Sequence, residues 1–195
     1  MSFAEYSGLV AALSAEGRTT GTDNSPAMVE YTRLNDARMR RLQKTVQAMP
    51  WAADAAQNVQ RRMIWLILTE SWCGDAAQNI PPIEKIAEHG QNIETRYLLR
   101  DENLPLMDRF LTEGGRAIPK LIAVDAESYE IIGSWGSRPV AAQALYHQMK
   151  EEGRPKSEIG EALQRWYLAD KTISLQTELE HLMREWDVAR SIAAV

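Results

Sequence analysis

Cys73 is the only cysteine in the chain and sits in the stretch Trp72-Cys73-Gly74-Asp75-Ala76. A two-cysteine thiol–disulfide site would read Trp-Cys-Gly-x-Cys, so Ala76 stands where the second sulfur belongs. One sulfur excludes an internal disulfide and any all-cysteine metal site. The chemistry left to it is a mixed disulfide with another molecule, which a second thiol must then resolve. A free cysteine has a pKa of roughly 8.5, so only a few per cent is thiolate at neutral pH. At a helix start, backbone N–H groups and the helix dipole favour the anion. The Asp75 carboxylate in the same turn opposes it. His89, His147 and His181 are scattered and form no close metal-ligand pair, so no metal is expected.

The elements that must position Cys73 follow from the hydrophobic pattern. The dense run 62–70 has strand length and reads as a strand buried on both faces. Residues 76–90 return to helical spacing through Ile80, Ile83 and Ile86 and end at Gly90, a C-cap residue type. A second strand over 93–101 precedes a helix over 104–115, stopped by Gly114 and Gly115. Strands over 118–126 and 129–136 are joined by a tight polar turn, hence antiparallel. A helix over 138–153 closes the unit. Before it, residues 26–46 predict a helix with Pro26 in its first turn, and 50–62 a short helix or turn. After it, 156–186 is helical with a phase break near Asp170–Ser174. The order β–α–β–α–β–β–α predicts an α/β fold, a mixed central sheet with helices on both faces.

The chain has 195 residues, 45% of them hydrophobic and 25% charged, ordinary for a soluble globular protein. Its net charge of −5 argues against nucleic acid as partner. The basic run 38–44 (RMRRLQK) reads as a solvated helix face. No basic leader opens the sequence, and the longest apolar run, 63–68, is too short to span a bilayer. These features predict a cytoplasmic protein without a membrane partner.

From about Arg62 to Gly153 the chain resembles thioredoxin. The strand leads into Trp72-Cys73-Gly74-Asp75, Pro81 lies eight residues after the cysteine, Ile118-Pro119 takes the cis-proline position, and Gly133–Gly136 takes the glycine loop beside the site. Among such proteins the sequence is most similar to bacterial thioredoxin-like proteins with a Trp-Cys-Gly-Asp-Cys motif. The resemblance implies a thioredoxin fold over 57–153, with helical extensions over 1–56 and 154–195. It implies Cys73 as the nucleophile, with Trp72, Gly74, Asp75, Ile118, Pro119, Trp135 and Arg138 shaping the groove for a protein or a low-molecular-weight thiol. Glutathione would be a co-substrate, and no resident cofactor is implied.

Three features cut against that chemistry, the Asp75 charge beside the sulfur among them. Ala76 cannot release a mixed disulfide, and Ile67 stands where thioredoxins keep a buried aspartate that assists proton transfer. Two readings stay open: a single redox-active thiol, or a non-catalytic binding protein that keeps the fold. A third, an iron–sulfur cluster shared between chains, belongs to single-cysteine glutaredoxins with Cys-Gly-Phe-Ser, from which Asp75-Ala76 departs. Trp166, Tyr167, Leu179, Leu182, Met183 and Trp186 recur at helical spacing and predict core or a docking face, compatible with a monomer or a homodimer.

Overall fold

The computed structural model describes residues 1–188. Three helices come first: α1 (Phe3–Glu16), α2 (Pro26–Thr45) and α3 (Pro50–Asn58). Ser2 and Glu5 form a capping box at the start of α1, and Pro26 occupies the first turn of α2. Then come β1 (Met63–Thr69), α4 (Gly74–Ala87), β2 (Ile93–Leu99) and the short α5 (Leu104–Met107). β3 (Lys120–Asp125), β4 (Ile131–Trp135), α6 (Val140–Glu151), α7 (Lys156–Asp170) and α8 (Ile173–Val188) complete the chain.

The sheet order is β2-β1-β3-β4. β1 and β2 are parallel, as a βαβ crossover through α4 requires, while β1–β3 and β3–β4 are antiparallel. This is the mixed sheet that the element order predicts. Met1 exchanges backbone hydrogen bonds with Tyr97 and so covers the outer edge of β2.

On one face of β1, Met63, Trp65 and Ile67 are fully buried, and Trp65 meets Trp186 of α8 edge-on at 6.1 Å. On the other face Ile64 and Leu66 remain partly exposed, so β1 is not sealed on both sides as its composition suggests. Gly133 on β4 is what lets α8 dock. A Cβ there would fall 2.0 Å from Trp186 Nε1, so only glycine permits that approach.

Two expected boundaries shift and a third holds. The helix predicted over 104–115 ends at Met107, because the chain turns back on itself through paired backbone bonds between Thr112 and Gly115. The cap of α4 is Glu88; Gly90 instead packs against Ala56 and Ile93, where a Cβ would lie 2.9 Å from the Ala56 carbonyl. The phase break near Asp170–Ser174 is real: Lys171 and Thr172 both adopt left-handed backbone, with φ of 52° and 68°. It divides the C-terminal segment into α7 and α8. Leu179, Met183 and Trp186 join the main core, while Tyr167 joins a smaller cluster between α6 and α7.

Candidate active site

Cys73 is the N-cap of α4, at the point where β1 ends and the chain turns through Glu70-Ser71-Trp72. Its Sγ accepts a hydrogen bond from Ala76 N–H at 3.4 Å and donates one to the Ile118 carbonyl at 3.2 Å. Ile118–Pro119 is a cis peptide. Gly136 backs this turn: with φ of 112° it brings its backbone so close that a Cβ would lie 2.4 Å from the Pro119 carbonyl. Cys73, Gly74, Ile118, Pro119 and Gly136 are therefore brought together.

Charge around the sulfur is self-contained. Asp75 pairs with Arg138 at 2.7 Å and accepts a hydrogen bond from the Tyr167 hydroxyl at 2.9 Å. Asn79 completes the set by donating to the Asp75 carbonyl at 2.9 Å and to the Tyr167 hydroxyl at 3.0 Å. Arg138 also lies over the Tyr146 ring, 4.4 Å from its centroid, and donates to Gln143 at 3.0 Å. The guanidinium is thus committed to α4 and α6.

Cys73 is 7% exposed. Burial, reinforced by the Asp75 charge, pushes the Cys73 thiol up to about 12; the N–H groups of Ala76 and Asp75 and the Arg138 charge offset only part of this. At neutral pH the group is a protonated thiol that serves as hydrogen-bond donor.

The remaining sequence-predicted residues sit apart from the sulfur's contacts. Trp72 is half-buried beneath the Arg100 guanidinium, 4.9 Å from its ring. The Trp135 indole donates to Glu178 of α8 at 2.7 Å, and the other oxygen of Glu178 accepts from Val140 N–H at 2.7 Å, capping α6. Trp135 is held as a structural tie between β4, α6 and α8. Ala76 is buried at 1% exposure.

Several contributors carry no local sequence signal. Ser71 is fixed by a buried hydroxyl cluster: its Oγ lies 3.0 Å from Thr19, 3.1 Å from Thr20 and 3.0 Å from Thr32. Asn35 donates to the Ser71 carbonyl at 2.9 Å, so the segment leading into α2 and α2 itself clamp the turn before Cys73. Glu70 is fully buried, with Oε1 accepting from Asp101 N–H at 2.9 Å and Oε2 without a partner among the described residues. Burial raises its pKa. Lys120 follows Pro119, and its buried ammonium donates to the Gly136 carbonyl at 2.7 Å and to Thr112 at 2.9 Å, anchoring the loop that carries Arg138. Burial lowers its pKa.

Among the described residues no cluster of three or more His, Cys, Asp or Glu side chains could hold a metal ion, and no helix is long and apolar enough to cross a membrane. No protein with a curated description matches the chain. Two solved structures share its fold. A protein of unknown function from Pseudomonas aeruginosa is 18% identical, with 94% of this chain and 98% of that one covered and a TM-score of 0.58. An HIV epitope scaffold is also 18% identical, with 96% of each chain covered and a TM-score of 0.51. Residues 21–150 match the thioredoxin family, a span that takes in α2 and α3 as well as the sheet. With this sheet topology and the turn joining Cys73 to Ile118-Pro119, the chain belongs to the thioredoxin family.

Proposed function

We propose that this is a thioredoxin-fold binding protein that does not carry out dithiol exchange. The observation that supports it best is the state of Cys73: 7% exposed, donating its proton to the Ile118 carbonyl, and with its pKa pushed up to about 12. A thiol attacks a disulfide only as thiolate, and its rate falls with the thiolate fraction. A second sulfur is lacking, and Arg138, whose charge helps hold the Cys73 pKa down, is already paired with Asp75.

One observation favours a second reading, a single-thiol exchanger that forms mixed disulfides with a protein or with glutathione. The Ile118 carbonyl and the Ala76 N–H still converge on Sγ, the arrangement that would align an extended substrate and stabilise a thiolate. Exchange would then require the buried Cys73 to become accessible.

The substitution Ala76→Cys separates the two. If the protein is a binder, the variant reduces insulin or glutathione disulfide no faster than solvent-exposed thiols do, while keeping native thermal stability. A correctly folded Ala76→Cys variant with thioredoxin-like turnover would overturn the binding-protein reading.

A further inference from the structure

Along α2 the basic run divides by helical spacing. Arg40 turns to one side and pairs with Asp36 at 3.0 Å. Arg38, Arg41, Leu42 and Thr45 share another face, and that face meets the C-terminal end of α7 in a groove of about 320 Å³. α2 contributes Arg41, Leu42 and Val46; α4 contributes Gln78; α7 and its cap contribute Leu168 and Lys171. Leu168 is 67% exposed and gives the groove an apolar wall.

No carboxylate among the described residues lies within 4.0 Å of the Arg38, Arg41 or Lys171 cations, although the chain as a whole is acidic. Arg38 is half-buried, and its hydrogen-bond partner is the neutral Asn35 at 2.8 Å. It reaches toward the α4 start, where a Cβ on Gly74 would lie 3.8 Å from its NH1 atom. Asp170, the acid nearest along the chain to Lys171, is engaged by Ser174 N–H at 3.2 Å.

We infer that this groove binds an acidic peptide segment of a partner protein, with carboxylates at Arg41 and Lys171 and apolar side chains against Leu42, Val46 and Leu168. The reading rests on the binding-protein function and names the partner's chemistry. Apolar walls between separated cations suit a chain that alternates acidic and apolar residues. They do not suit a polynucleotide, which needs a continuous phosphate-neutralising track.

The test uses the full chain and a fluorescein-labelled decapeptide alternating glutamate and leucine, read by anisotropy. Saturable binding is expected, weakening with added salt as exposed ion pairs do. The double variant Arg41→Gln, Lys171→Gln weakens it about fivefold to tenfold, while Arg40→Gln leaves it unchanged. Thermal melts confirm that the variants fold. The inference is overturned if a glutamine–leucine peptide binds equally well, if the double variant binds like the native chain, if nothing saturates, or if only phosphatidylglycerol vesicles bind. The two readings fail separately: absent peptide binding with an inert Ala76→Cys leaves the binding-protein reading standing, whereas a reductively active Ala76→Cys with intact peptide binding removes that reading and keeps the groove.

Discussion

The two sides of Cys73 are built from different materials. Toward the sheet lie fully buried apolar side chains, Ile67 and Leu68 of β1, and the sulfur's polar contact there is a neutral carbonyl, that of Ile118. Toward α6 and α7 lies a closed polar set, Asp75, Arg138, Tyr167 and Asn79, in which each charge is answered by another member. Neither of these two sets carries a net positive charge to stabilise a thiolate. The first withholds polarity; the second spends its polarity on itself. A thioredoxin-family turn can thus keep its backbone geometry while its surroundings make the sulfur a donor.

The comparison breaks most severely when charge enters the apolar side. Ile67→Asp removes a fully buried side chain and inserts a carboxyl with no partner, and is expected to destabilise the fold by about 4 kcal/mol in urea titrations. Burial would raise that carboxyl's pKa, so the loss should be smaller near pH 4 and grow as pH rises toward neutrality. A loss independent of pH would show that the new carboxyl reaches water.

Removing charge from the polar side comes next. Arg138→Met strips the partner from Asp75, whose side chain is 11% exposed, and is expected to lower stability by about 3 kcal/mol. It should also drive the Cys73 thiol further up, since the Arg138 charge is one of the groups holding it down. Tyr167→Phe is milder, about 1 kcal/mol, because Asp75 keeps Arg138 and only the hydroxyl's bonds to Asp75 and Asn79 are lost. If Tyr167→Phe cost more than Arg138→Met, the ion pair would not be the centre of the cluster.

The smallest effect is a pH dependence. Cys73 has a folded pKa raised from 9.0 to about 12, so its contribution to stability is complete below about pH 9 and is lost as pH rises through the window from 9 to 12. The buried Tyr6, Tyr97 and Tyr167, all raised above 10.0, add to the same alkaline loss from a higher starting point. Cys73→Ala should flatten the early part of the alkaline slope and leave the tyrosine part in place. An unchanged slope between pH 9 and 10 would show that the thiol is not buried in solution.

The framework was legible in the sequence because it rests on local pattern. The apolar density of β1 and the spacing of Ile80, Ile83 and Ile86 act over short separations, and Cys73, Pro119 and the glycine loop are recognisable by their order along the chain although the fold joins them across 45 residues. The helix expected over 104–115 failed because Arg116 pairs with Asp108 at 2.6 Å and Thr112 pairs with Gly115, contacts that composition does not display. The surroundings of the sulfur were hidden for the same reason at longer range. Tyr167 reaches Asp75 across 92 residues, Glu178 reaches Trp135 across 43, and the hydroxyls that fix Ser71 come from Thr19, Thr20 and Thr32. Each is an ordinary polar residue on its own helix or loop, and only packing makes it part of the site.

The most direct test is the thiolate absorbance of Cys73 near 240 nm as a function of pH, with Cys73→Ala as the blank to remove the tyrosines. A sulfur held between an apolar sheet and a self-paired charge cluster should show no thiolate step below pH 10 in the folded protein. A step centred below pH 8 would contradict this and mark Cys73 as a nucleophile poised for exchange.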